Sequence, residues 1–166
     1  YGVSQTRLAD DCFKTGISNL IGQDEGTIYI EWEQQLSDAY AMYGFNDGLN
    51  NNALRLVLNS GGLPRLGIVY VVNSTAHYSN LNIQGLNVGT IYKAALVYTQ
   101  TTLKVYLNGS EVVNQTGFSA SGGVFNELNF KLNSTSSSFP FTMPTNQALI
   151  FPTALTDSEC IELTTI

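Results

Sequence analysis

One feature constrains this chain more than any other: a side-chain alternation of period two that recurs along most of its length. In Gly26-Thr27-Ile28-Tyr29-Ile30-Glu31-Trp32-Glu33 it sets Ile28, Ile30 and Trp32 on one face and Tyr29, Glu31 and Glu33 on the other. That is the pattern of a half-buried strand with a wet face, and its parity makes Trp32 a core residue rather than a stacking platform. The same reading predicts strands over 39–45, 53–58, 66–72, 81–83, 92–98, 103–107, 128–132 and 148–151. Asn46-Asp47-Gly48 closes the second of these strands, and Gly61-Gly62 follows the third. Asn108-Gly109 is the strongest turn signal, because those two residues tolerate the positive φ angles of a two-residue hairpin. His77 is placed in a loop after Asn73-Ser74-Thr75, and Ser134 to Ser138 in a surface loop. A helix is predicted only near the end, over 157–163, with Thr156 as N-cap and Glu159 completing a capping box.

Many short strands with turns every 8–12 residues predict an all-β fold. The specific expectation is a two-sheet antiparallel jelly-roll sandwich with one short C-terminal helix. A length of 166 residues fits a single domain spanning 1–166. Residues 1–13 are set apart as a leader from a longer parent chain, which also suits the Tyr1-Gly2 opening. Charged residues make up 12% of the chain, about half the ordinary share. Asn, Ser and Thr supply polarity instead, at roughly a quarter of the residues. High apolar content excludes intrinsic disorder. A net charge of −6 with the basic residues scattered singly excludes nucleic acid as a partner and offers nothing to an anionic membrane. No apolar run approaches the length of a membrane span.

Cys12 and Cys160 stand near opposite ends, and two readings remain open: separate thiols, or a disulfide joining the termini. His77 is the single histidine, so neither a zinc site nor a Ser-His-Asp arrangement has the residues it needs. No nucleotide-binding glycine motif follows a strand. Asn73, Asn108, Asn114 and Asn133 each begin an Asn-x-Ser/Thr triplet, a frequency that so Asn- and Thr-rich a chain reaches by chance.

Tyr92-Lys93-Ala94-Ala95-Leu96-Val97-Tyr98, followed by Leu103-Lys104-Val105-Tyr106-Leu107-Asn108-Gly109, resembles the paired strands of laminin G-like domains. The tail from Ala148 through Pro152 to Leu155-Thr156-Asp157-Ser158-Glu159 resembles that family's closing strand and helix start. The family is the concanavalin A-like lectin/glucanase group, and the resemblance runs over roughly residues 14–166. The opening stretch, from Lys14-Thr15-Gly16 through Asp24-Glu25-Gly26 to Tyr29, is similar to the version carried by bacteriophage tail, fibre and other virion proteins.

The resemblance implies three chemistries to weigh. Glucanases of this fold carry E-x-D-x-x-E on one strand. Glu31-Trp32-Glu33-Gln34-Gln35-Leu36 departs from it at two positions and reads as two solvated carboxylates, so no enzyme activity is expected. Several laminin G-like domains hold calcium, and Asn46-Asp47-Gly48-Leu49-Asn50 is an oxygen-rich turn. Its single carboxylate would leave the ion poorly neutralised, so no cofactor is expected, with calcium as the alternative. Glycan binding suits a chain rich in Tyr and Asn, whose side chains combine flat apolar faces with hydrogen-bonding tips. The candidate ligand-binding residues are Tyr43, Asn46, Asp47 and Asn50 around the second turn, and His77 and Tyr78 in the later loop. The expected function is recognition of a host-surface glycan from the surface of a phage virion, among other virion proteins and in a homotrimer. The alternative is structural decoration with no glycan ligand.

Overall fold

The computed structural model describes residues 12–35, 40–59, 62–136, 138–139 and 141–166. Among the described residues, eleven strands and one helix follow one another. They are β1 (Phe13–Thr15), β2 (Glu25–Glu33), β3 (Ala41–Asn46), β4 (Ala53–Leu58), β5 (Arg65–Val72), β6 (Thr75–Gly85), β7 (Ile91–Thr99), β8 (Thr102–Leu107), β9 (Ser110–Thr116), β10 (Glu127–Asn129), β11 (Thr145–Phe151) and α1 (Asp157–Thr164). The strands form two antiparallel sheets, ordered β1-β10-β3-β4-β5-β6 and β11-β2-β7-β8-β9. The molecule is the jelly-roll sandwich that the alternation predicts.

Between the sheets lies one continuous core. Ile28, Ile30 and Trp32 from β2 and Ala94, Leu96 and Tyr98 from β7 face Tyr43, Phe45, Leu54, Leu56, Ile68 and Tyr70 from the other sheet. Trp32 is fully buried, with its indole N–H donating to Gln34 Oε1 at 3.0 Å, so its polar end is satisfied inside.

The wet face of β2 is not wet throughout. On the outer side of the five-stranded sheet, Tyr29, Ala95, Val97 and Tyr106 form a second cluster with Cys160, roofed by Leu155 and Leu163 at and beside α1. The capping box is present, with Thr156 Oγ1 accepting from Glu159 N and Glu159 Oε2 accepting from Thr156 N. Asp157 anchors the helix start to the sheet, accepting from Lys104 Nζ at 2.7 Å and from the Tyr106 hydroxyl at 2.7 Å.

Several expectations need correction. Both cysteines are free thiols, so there is no disulfide. Cys12 is exposed beside β1 in the six-stranded sheet, while Cys160 is buried on α1 against the far face of the other sheet. The thickness of the sandwich thus separates them, whereas a disulfide needs Cα atoms within about 7 Å. His77 lies in β6, which runs for 11 residues and absorbs the short strand expected at 81–83. Asn73-Ser74 is itself the tight hairpin turn, with φ of 49° and 62° at the two residues. The strand expected over 128–132 ends at Asn129. Phe13, the last residue of the stretch set apart as a leader, opens β1, and residues 1–11 lie outside the described residues. No helix among the described residues is long and apolar enough to cross a membrane.

Candidate binding site on the outer face of the six-stranded sheet

Among the described residues, no helix lies over the outer face of the six-stranded sheet. Strand register lays one row of residues across all six strands of that face: Phe13, Asn129, Gly44, Arg55, Val69 and Ser79. A neighbouring row runs Thr15, Glu127, Asn46, Ala53, Val71 and Ala76. Parity accounts for both rows, since Tyr43, Phe45, Leu54 and Leu56 point into the core and their neighbours must point out.

Arg55 is the unexpected member. It is a lone charge in the apolar run Ala53-Leu54-Arg55-Leu56-Val57-Leu58, and it is only 6% exposed. One guanidinium nitrogen, Nη2, donates to Asn50 Oδ1, while Nε has no partner. Burial pushes the guanidinium down to about 10, opposed by the nearby Asp47 carboxylate, so Arg55 stays charged at neutral pH. On the other side of Gly44, Asn129 is fully buried, with Nδ2 donating to Glu127 Oε2 at 3.1 Å and Oδ1 unpaired. Gly44 between them carries no side chain, and a Cβ there would run into the backbone carbonyl of Leu54. A donor and an acceptor, both lacking partners, therefore flank a bare stretch of backbone.

Two chain segments bracket this pair. Asn133 Nδ2 donates to Leu49 O at 2.7 Å and lies 3.4 Å from Asn50 Oδ1, the atom that accepts from Arg55. Ser134 donates through its backbone N–H, at 3.2 Å, and its hydroxyl to the Glu127 carboxylate. The Ser-rich segment expected as a plain surface loop thus begins with a residue tied to a buried acid. Lys131, also buried, places its ammonium 4.4 Å from the Phe13 ring centroid. Met42, Val69 and Val71 are half-buried apolar residues of the same face.

The six residues selected from sequence fall into three places. Tyr43 is in the core, 1% exposed, with its ring 4.8 Å from Phe130 and its hydroxyl donating to Tyr29 O at 3.2 Å. Burial raises its hydroxyl pKa, and it cannot meet a ligand outside the sandwich. Asn46, Asp47 and Asn50 share the β3–β4 turn. Asn46 is buried, its amide donating to Leu132 O at 3.1 Å and its Oδ1 accepting from Gly48 N. Asp47 accepts from the backbone N–H groups of Leu49 and Asn52 and from Asn52 Nδ2, at 3.0–3.1 Å. These two side chains build the turn, and Asn50 positions Arg55. His77 and Tyr78 lie on β6, at the opposite edge of the sheet from β1. The ladder slips between Tyr70/Tyr78 and Val71/Ala76, which leaves His77 as the extra residue of a bulge. Its ring lies 6.0 Å from Tyr70 and 5.7 Å from Phe118.

The other chemistries fit less well. Both oxygens of Asp47 are already taken by N–H groups, so the turn does not suit a calcium ion. Among the described residues no group of three or more His, Cys, Asp or Glu could hold a metal. Glu31 accepts from Asn146 Nδ2 at 2.8 Å and stands between Lys93 and Gln147 on the adjacent strands, while Glu33 pairs with Ile91. No second acid stands opposite either one across the sheet.

No family model matches the chain, and no curated protein sequence does. Solved structures match in fold. The CBM40 carbohydrate-binding module of the Ruminococcus gnavus IT-sialidase, solved with α2,3-sialyllactose, superposes with a TM-score of 0.67 at 16% identity, covering 87% of this chain and 84% of that one. Domain 4 of an extracellular GH43 arabinanase from Geobacillus stearothermophilus, solved with arabinotriose, gives 0.69 at 19% identity, covering 89% and 69%. A botulinum neurotoxin type C structure, described by its interaction with two ganglioside molecules, gives 0.63 at 15%, with this chain matching 38% of its length. At these identities the likeness is one of architecture: this chain shares the jelly-roll sandwich on which those carbohydrate-binding domains are built.

Proposed function

We propose that this chain is a non-catalytic glycan-binding module whose binding surface is the outer face of the six-stranded sheet. The observation that carries the reading is the unpaired Nε of Arg55 and unpaired Oδ1 of Asn129 on either side of Gly44. Buried polar groups are nearly always paired, and leaving two exceptions on one face costs stability that a bound ligand would return. Half-buried Met42, Val69 and Val71 supply apolar surface for the C–H side of a sugar ring. The shared sandwich of domains solved with sialyllactose and arabinotriose supports the same reading. In its finer form, the proposal sets the domain on a bacteriophage virion, facing a host-surface saccharide. That setting rests on the similarity of the opening stretch to virion versions of the fold. Repetition of the face around a trimer would raise weak single-site affinity through multivalency.

The test is a glycan array probed with the purified domain, followed by calorimetry on the hits. Saccharide binding that Arg55→Ala weakens at least ~10-fold supports the reading. Absence of binding, with a clean trimer in solution, favours structural decoration instead.

A further inference from the structure

We infer that the saccharide taken by this face is neutral, and that it is held by a pair of adjacent hydroxyls placed over Gly44 between Arg55 and Asn129. The inference rests on the glycan-binding reading above and narrows its ligand class.

The argument is one of hydrogen-bond sense. Arg55 Nε is a donor that needs an acceptor, and Asn129 Oδ1 is an acceptor that needs a donor. A vicinal diol supplies both, one hydroxyl oxygen accepting from Nε and the other hydroxyl donating to Oδ1. A carboxylate supplies acceptors alone. It would satisfy Arg55 but turn lone pairs toward Asn129 Oδ1, leaving that atom unpaired and repelled.

The surrounding charge argues the same way. Glu127 is buried in the adjacent row and receives the other end of the Asn129 amide, at 3.1 Å. Asp47 acts on Arg55 through space. Glu127 and Asp47 thus already stand beside Arg55 and Lys131, so a third anion placed over Gly44 meets little excess positive charge; Arg65, on the same face, lies four residues along β5 from Val69.

The segment that follows β10 is tied to both members of the pair. Asn133 is linked through Asn50 to Arg55, and Ser134 through Glu127 to Asn129. These two side chains thus hold the partners of both members of the pair.

The experiment uses the intact chain on an array carrying neutral and acidic glycans, with calorimetry of the hits at 0.15 M and 1 M NaCl. Neutral oligosaccharides are expected among the hits, bound with little dependence on salt. Arg55→Lys and Asn129→Ala are each expected to weaken them ~10- to 100-fold. Circular dichroism and thermal melts verify that each variant folds. Should either variant fail to fold, selectivity of the unaltered chain still decides the matter. Hits restricted to acidic glycans, weakened by salt, overturn this inference and leave the glycan-binding reading standing. No hits of either kind overturn both.

Discussion

Replacing Arg55 with methionine separates a residue kept for stability from one kept for a ligand. Arg55 sits between buried Ala53 and Val57 on its own strand, and its register partners are Gly44 and Val69. The fall of its pKa from the ordinary guanidinium value to about 10 corresponds to ~3 kcal/mol held against the charged form by burial, net of the attraction to Asp47. Against this stands one charge-assisted hydrogen bond to Asn50, worth ~1.5–3 kcal/mol. Removing the guanidinium strands no other charge. Asp47 keeps its three N–H donors, and Glu127 keeps Asn129 and Ser134. Methionine retains the unbranched stem that packs along the sheet. Arg55→Met is therefore expected to leave stability unchanged or raise it by up to ~2 kcal/mol, as substitution of buried ionic groups by apolar ones often does. For a domain this size each kcal/mol moves Tm by roughly 2–4 °C. The assay pairs urea unfolding with calorimetric titration of a glycan hit. The expected result is equal or greater stability with binding weakened at least ~10-fold. A loss of more than ~1 kcal/mol would refute the reasoning, because Arg55 would then be structural and its unpaired Nε no sign of a ligand.

Other outcomes follow from the packing. Trp32→Ala removes the largest fully buried side chain and is expected to destabilise by ~3–5 kcal/mol in urea unfolding; a loss under 1 kcal/mol would contradict its place at the centre of the core. With a colorimetric thiol reagent at pH 8, Cys12 is expected to react at once and Cys160 only on unfolding, since burial pushes the Cys160 thiol up to about 11; two silent thiols that appear only after reduction would restore the disulfide. Asp157 is held below the ordinary carboxylate range, first by the Lys104 hydrogen bond and then by Tyr106. A depressed carboxyl contributes stability above its unfolded pKa near 3.8 and loses that contribution as pH falls through its lower folded value. The Tm gap between the natural chain and Asp157→Asn is thus expected to narrow below pH ~4, and a gap constant with pH would speak against the contact.

How much of this was legible in the sequence depends on whether the information is local. Period-two patterning located β2, β4, β5, β7 and β8 nearly to the residue, because one buried face per strand leaves its mark on every second position. The Asn108-Gly109 turn and the Thr156–Glu159 capping box are local chemistry, and the structure has both. Only 81–83 of β6 was found, because Thr75–Gly85 is an edge strand with exposed or half-buried side chains and so carries little alternation. The burial of Tyr29 was missed because its cover, α1, arrives more than 120 residues later in the chain. Tyr43 was chosen for its type and its nearness to a turn, although its parity with Phe45 already aimed it inward.

The candidate site failed to appear for a related reason. Asn129, Gly44 and Arg55 are unrelated in sequence and become neighbours only when β10 and β4 pair on either side of β3. One clue was nonetheless present: a charge at the centre of a six-residue strand whose other members are all apolar. A chain with so few charges gains nothing in solubility by placing one where solvent barely reaches it. Placement for stability is equally hard to sustain, since one nitrogen of that guanidinium goes without a partner while burial works against its charge. On the proposal above, a group left in that condition marks a place for a ligand, and here the bare glycine and the unpaired amide oxygen lie in the same register row as Arg55, on the sheet face that α1 does not cover.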